Sequence, residues 1–516
     1  MKKVKEFLRE IWAEWALTII VVAIFTVILF GLLLLCATSL SLHSYAIWFV
    51  IIFVTTIIAI GALIGEHLSV FAVAIITVLA ELLWVLLPGS AIISVKPYQN
   101  MVTITETSFE TVETFDTKNV QLVDKDSAVQ LGDRAFGKLG QELVSQYTVG
   151  DYDQIVYHGQ LYRVAPIEFR GVASYFSNRT TPGYILVNCE TGESQVIEVE
   201  EGIAYSQNAW FGHNIVRNNW LANVSAIYGN PVFEIDETGH PYWVTPIGKY
   251  DFVGKHKDII AVRILDATTG EASIYGINEV PEWVDNVYST STAYYRFNKQ
   301  KQYANGFWNF SHKGVVAYTE DYAYLQMNGH LYFYTGVTSV GQDESNVGFA
   351  YVNLRTNEVA YVAEAGAEEF SARASAEGSV QEKGYKATFP TMVNVGDEPT
   401  YFMAMKDQAG LIKAYAFVSY RDYQKVGIGT SVNDALKNYQ KGNIAIDKAD
   451  IEEISFEVSE VEVVTINGNS VVLFLDVDGN IHSYSVEEDG YNAVFAKTGD
   501  ILTVEEAGDG KILKIH

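Results

Sequence analysis

From Ala16 to Leu87 the chain is almost wholly apolar, and no other feature limits its folding as strongly. An apolar run of about 20 residues is long enough to cross a bilayer core of ~30 Å as a helix. Three such runs can be drawn, Leu17–Cys36, Tyr45–Ile64 and Leu68–Leu87. Aromatic residues stand at their edges, where amphipathic rings favour the membrane interface: Trp12 and Trp15 before the first, Trp48 early in the second, Trp84 late in the third. Gly65-Glu66-His67 is short enough for a tight hairpin. The sequence therefore predicts a membrane domain over 1–90 with three transmembrane helices, at about 17–36, 45–64 and 68–87.

Lys2, Lys3, Lys5 and Arg9 precede the first run, and the loop Thr38–Ser44 has no Lys or Arg. The excess of positive charge on cytoplasmic segments then places the N-terminus inside. Three crossings would deliver everything after Pro88 to the outside. The first run exceeds the apolar core of a cleaved signal, and Leu35 is too large for the position before a lipoprotein cysteine at Cys36. Glu81 is the one carboxylate inside a run. Acids in such segments mark ion pathways by default, so Glu81 is the candidate intramembrane functional residue. The competing account is an acid near the outer interface, paired with a neighbouring helix.

Charge separates the rest of the chain from this region. Of 35 basic and 62 acidic residues, 31 and 57 lie in 96–516. A surface that acidic repels phosphates and anionic headgroups, so no nucleic acid is expected as a partner. The two cysteines, Cys36 and Cys189, fall in different regimes, which leaves no disulfide framework and no paired-cysteine zinc site.

The polar region repeats itself. HGQLYRVAP (158–166), TGHPYWVTP (238–246), NGHLYFYTG (328–336) and, more loosely, EPTYFMAMK (398–406) each read as a turn followed by a half-buried strand. After the first three comes a second phrase: NCETGE from Asn188, DATTGE from Asp266 and NLRTNE from Asn353. Gly270 or Asn357 suits the left-handed tip of a hairpin, and Asn188, Asp266 and Asn353 can bond the turn backbone. Helix-compatible segments precede the strands at 132–146, 213–227, 296–308 and 366–382. The expected fold class is α+β. A linker with the first strands (91–130) leads into helix-on-antiparallel-sheet modules at 131–200, 210–280, 296–365 and, in divergent form, 366–445. Thr430–Tyr439 reads as a capped amphipathic helix. The segment 449–516 reads as six short strands in a small closed β-barrel of OB or SH3-like type.

A helix on a small antiparallel sheet, with an Asp-x-x-Thr-Gly-Glu turn before the last strand, resembles PepSY-type modules. The residues that carry the likeness are Asn188–Glu193, Asp266–Glu271 and Asn353–Glu358, within about 130–420. The alanine-rich helix of such modules is weak here, and only the second turn begins with Asp. The chain as a whole also resembles poorly characterised Gram-positive membrane proteins. The resemblance implies a bacterial plasma membrane, an extracytoplasmic body, and binding, inhibition or scaffolding in place of catalysis.

Residues that could carry chemistry are sparse. HExxH, Walker, GxSxG and GxGxxG patterns are missing. His158, His240 and His330 stand one per module, so they would have to converge to hold a metal. Asp476, Asp478 and Asn480 have calcium-loop spacing, but the glycine is misplaced, and Asp478-Gly479 reads as a type I′ hairpin turn. GVTSVGQDES (336–345) reads as a loop between strands. Glu368, Glu369 and the run Glu452–Glu462 read as solvated faces, and the sequons at Asn178, Asn223 and Asn309 as coincidence. No catalytic residue, metal or cofactor is expected. The expectation is a membrane-anchored extracytoplasmic binding or scaffolding protein that regulates a protease or cell-envelope enzyme. Its partners would be the lipid bilayer and an extracytoplasmic protein or copies of itself. The alternative is a subunit of an oligomeric channel or transporter with an extracellular cap. A hydrolase with its residues on the linkers is a third possibility.

Overall fold

The computed structural model describes residues 31, 36–64, 68–109, 121–340, 345–441, 451–466, 469–485, 496–507 and 512–515. The run Leu17–Cys36 thus lies outside the described residues apart from Gly31 and Cys36. Helix α1 spans Tyr45–Ile64 and helix α2 spans Leu68–Leu86. Among the described residues only α2 is long and apolar enough to cross a membrane, while α1 supplies a shorter apolar stretch, Tyr45–Ile60. The expected fold with three N-terminal transmembrane helices is therefore corrected: the chain is an α+β fold with, among the described residues, at most one helix of spanning length.

Four antiparallel sheets follow one design, in which two short strands share one long strand. In the first, Tyr147–Val149 and Asp153–Tyr157 pair with Gln160–Phe169, followed by Thr181–Asn188 and Ser194–Ile203. In the second, Ile227–Tyr228 and Val232–Ile235 pair with Pro241–Lys249, followed by Asp258–Asp266 and Ala272–Gly276. In the third, Val316–Tyr318 and Ala323–Met327 pair with His330–Ser339, followed by Ser345–Asn353 and Val359–Val362; Ile104–Glu106 joins the edge in parallel. In the fourth, Lys386–Ala387 and Thr391–Val395 pair with Glu398–Lys406, followed by Ile412–Ser419 and Val426–Gly429.

A helix precedes each sheet: Lys125–Gly137, Ile215–Ala222, Thr290–Gln302 and Glu369–Ser379. Each buries its small or apolar residues in a sheet core, as Ala128 and Phe136 do beside Ile167 and Ile185. The first three start where Asp124, Asn214 and Ser289 accept an N–H from the first turn. The segment 132–146 is two helices, because Gly140 (φ 96°) separates Lys125–Gly137 from Gln141–Gln146. A further helix, Val432–Lys441, is capped by Ser431. It lies so close to the fourth sheet that a Cβ on Gly427 would stand 2.1 Å from Tyr439 N.

The turns bond as their residue types require. Asn188, Asp266 and Asn353 each accept two N–H groups of their own turn through Oδ1. Gly192, Gly270 and Asn357 take φ of 76°, 80° and 59° at the tips. A second recurrence involves main chain alone. Cys189 N donates to Leu161 O, and Leu122 N donates to Cys189 O. The same pair of bonds joins 267 to 241 and 204 to 267, 354 to 331 and 288 to 354, and 420 to 399 and 367 to 420. Each clamp ties the chain entering the helix to the turn and to the start of the long strand. The fourth sheet keeps it without a Thr-Gly-Glu turn.

At the C-terminus the strand order is 481–485, 469–476, 451–466, 501–507, 512–515. Ile451–Ile466 pairs with Ile501–Ala507 along its first half and with Asn469–Asp476 along its second. Five strands are described here, all bent around one long strand, and among the described residues no backbone pairing joins the two ends of the order; 486–495, within the segment expected to close as a six-stranded barrel, lies outside the described residues.

Candidate functional site

The first three sheets meet through carboxylates. Asp153 Oδ2 accepts from Phe233 N at 2.8 Å, which joins the first sheet to the second. Glu234 accepts from Asp285 N and Asn286 N at 2.9 Å each and from Asn286 Nδ2 at 3.1 Å, which joins the second sheet to the approach of the third. Asp285 Oδ2 accepts from Val156 N at 2.6 Å and returns to the first sheet. The bridges form a closed circuit. Burial pushes the Asp153 carboxyl up to about 7, against the Phe233 N–H that favours its charge. Burial likewise raises Glu234 to about 7, and burial plus the Glu234 charge raise Asp285 well above the ordinary value. Glu168, desolvated but bonded to Gln207 N, also rises to about 7.

The first, third and fourth sheets border a half-open cavity of about 260 Å³. Its walls include Leu122, Asp124 and Arg163 from the first unit, Tyr322 and Tyr324 from the third, and Phe389, Phe402 and Met403 from the fourth. Asp124 is paired with Lys406 and bonded to Ser127 N; these outweigh desolvation and hold its carboxyl below the ordinary value. Arg163 is 5 % exposed. Its guanidinium lies 5.7 Å from the Tyr324 ring centroid, its Nη1 reaches Tyr152 O only at 3.5 Å, and its Nε has no hydrogen-bond partner. Bidentate capture of an anion is the chemistry this arrangement supports.

Glu81 stands between the two apolar helices. Its Oε1 lies 3.1 Å from Thr55 Oγ1, and its Oε2 is buried without a partner. The turn histidines have separate surroundings. His158 lies 3.7 Å from Glu237, His240 lies 3.1 Å from Asp266, and His330 opens a strand opposite Met327. Among the described residues no three His, Cys, Asp or Glu side chains group as metal ligands. Asp476 Oδ1 accepts from Asp478 N and Asn480 N, and its Oδ2 faces Asn480 and His482; the hydrogen bonds, led by Asn480, lower its carboxyl to about 2. In this turn only Gly479 has positive φ (87°), and Asp476 N bonds Asn480 O. It is a three-residue loop ending in a left-handed glycine, so the expected type I′ turn, which needs two residues at positive φ, is corrected. Glu369, expected on a solvated face, is 4 % exposed at its helix start, bonded by Tyr334 OH at 3.0 Å and Asn346 Nδ2 at 3.3 Å.

Sequence reasoning missed Asp153, Arg163, Glu234 and Asp285. A signal was present: Arg163 and Glu234 each interrupt an otherwise apolar strand, as in LYRVAP and VFEI.

No family model matches this sequence, and no curated protein matches it. Among solved structures, a levansucrase variant from B. megaterium is similar at 9 % identity over 78 % of this chain and 96 % of that one, with a TM-score of 0.18. A protein from Dyadobacter fermentans is similar at 9 % identity over 66 % and 93 %, TM-score 0.17. An α-L-arabinanase variant from Cellvibrio cellulosa is similar at 12 % identity over 72 % and 96 %, TM-score 0.17. At these scores the likeness carries no argument about fold or function.

Proposed function

We propose that this chain is a binding or scaffolding protein held at a lipid bilayer by α2, with α1 packed along it, and that the four-sheet body faces one side of the membrane. The observation that carries this reading is the bare surface of α2. Leu68, Val73 and Ile76 are 74 %, 64 % and 66 % exposed, and a core helix of a water-soluble body would bury them.

The join between hairpin and body supports it. Lys255 Nζ donates to Val85 O, Leu86 O and Pro88 O at 2.7–2.9 Å and so caps the C-terminus of α2. Before α1, Trp220 Nε1 donates to Thr38 O, and Gly254 N donates to His43 O. Both open ends of the hairpin therefore meet the second sheet unit. Exposed apolar residues gather there as well: Leu42, Ile92 and Ile93 on the hairpin ends, and Trp308 and Phe310 on a nearby loop. That loop starts at Tyr303, whose ring lies 4.9 Å from that of Tyr98, and Tyr98 OH donates to Gly89 O. Amphipathic aromatics suit the headgroup level. The likeness to PepSY-type modules adds weight to binding over catalysis, with a protease or envelope enzyme as partner and the outer face of a bacterial plasma membrane as the site.

Cys36 is exposed beside the hairpin entrance and Cys189 is buried. A membrane-impermeant maleimide on intact cells should label Cys36, and the protein should stay with membranes through a carbonate wash. Release into the wash would overturn the anchor; labelling only after lysis would move the body to the cytoplasmic side.

The orphan Oε2 of Glu81 favours a second reading, a subunit of an oligomeric channel or transporter lined by this acid. Glu81→Gln should then alter ion flux in proteoliposomes. Unchanged flux sinks that reading.

A further inference from the structure

We propose that the cavity between the first, third and fourth sheets binds a small monocarboxylate with an apolar or aromatic tail, and that Arg163 captures its carboxylate. This goes beyond anchoring and scaffolding and is independent of them, because the cavity lies in the body. A buried cation without an ion pair is costly unless an anion meets it. Arg163 belongs to the cavity lining, is 5 % exposed, makes no ion pair among the described residues, and has a buried Nε without a hydrogen-bond partner. Asp124, a half-buried acid of the same lining, is already committed to Lys406.

Guanidinium presents a rigid planar fork that matches a carboxylate with two parallel bonds. The lining mixes polar groups such as Gln121, Thr388 and Thr391 with four rings, Tyr322, Tyr324, Phe389 and Phe402. A tail can stack there while the carboxylate stays at the guanidinium. Size narrows the class further. A cavity of about 260 Å³ holds roughly nine waters at ~30 Å³ each, so the fitting ligand has about that many heavy atoms. Charge narrows it again. The lining carries three acids, Asp124, Asp126 and Asp321, against two cations, Lys125 and Arg163, and this excess of acid opposes an anion with two charges, such as sulfate or phosphate, more than one with a single charge.

The test is a fluorine NMR titration of the full chain in detergent micelles, with empty micelles as the blank. The probes are 4-fluorobenzoate, neutral 4-fluorobenzyl alcohol, and inorganic sulfate as competitor. Saturable binding of the benzoate is expected, at least tenfold tighter than the alcohol and not displaced by sulfate. Arg163→Met should weaken the benzoate at least tenfold and leave the alcohol unchanged, and Arg163→Lys should fall between. Thr391→Trp, which fills the cavity without touching the charge, should remove both probes. Its loss of binding keeps the question decidable if Arg163→Met fails to fold. Equal binding of benzoate and alcohol, undiminished binding in Arg163→Met, displacement by sulfate, or no saturable binding would each overturn the proposal.

Discussion

Replacing Asp153 with Asn should stabilise the protein by about 1.5 kcal/mol at pH 5 and by about 4 kcal/mol at pH 8. Asp153 is half-buried, and its acceptor role toward Phe233 N can be filled by an amide oxygen. Burial lifts its pKa from an ordinary 3.8 to about 7. An acid with a raised folded-state pKa contributes stability that is fully present below the unfolded value and is lost as pH rises through the folded one. The full span, at 1.36 kcal/mol per pH unit, is about 4 kcal/mol, and about 2.5 kcal/mol of it falls between pH 5 and pH 8. Wild type loses that amount over this interval and Asp153→Asn does not. Other acids titrate in both proteins and cancel in the difference. Trp243, fully buried against Phe233 at 5.2 Å between ring centroids, reports on this junction. Guanidinium unfolding of the full chain in micelles, followed by tryptophan fluorescence at both pH values, supplies the comparison. Parallel pH dependences would refute the reasoning, and so would an Asn variant less stable at pH 8 than wild type.

Lys255→Met removes three charge-assisted bonds from the end of α2 and should loosen the hairpin by about 2 kcal/mol; hydrogen exchange over 83–90 should quicken while the sheet cores stay protected. Gly427→Ala places a Cβ 2.1 Å from Tyr439 N. Overpacking of that kind costs about 3 kcal/mol, so the melting midpoint should fall, whereas Ala at the open Gly378 should change little.

What could be read from the chain depended on the range of the interaction. The turns from Asn188, Asp266 and Asn353 were legible because their side chains bond backbone two or three residues on. Helix starts were less so: 132–146 was expected as one helix although Asp124 caps an earlier start and Gly140 divides it. The four clamps were invisible, since main-chain bonds leave no residue signature. Burial of Arg163, Glu234 and Glu369 was hidden for another reason. Neighbours from other units cover them, and local alternation reports only the face of a residue's own strand. Of the three runs expected to span, the first lies almost wholly outside the described residues, and among the described residues only α2 passes as long and apolar enough.

The carboxylate circuit also sets how load would spread. A tug on the hairpin enters the body through the second unit, at Lys255 and Trp220. From there it has two exits, by Phe233 to Asp153 and by Glu234 to Asp285 and Asn286, and these exits are themselves tied by Asp285 to Val156. Cutting one tie leaves a continuous path to every one of the three units. A body wired this way resists peeling from its tether one sheet at a time, and it yields only when two junctions fail together.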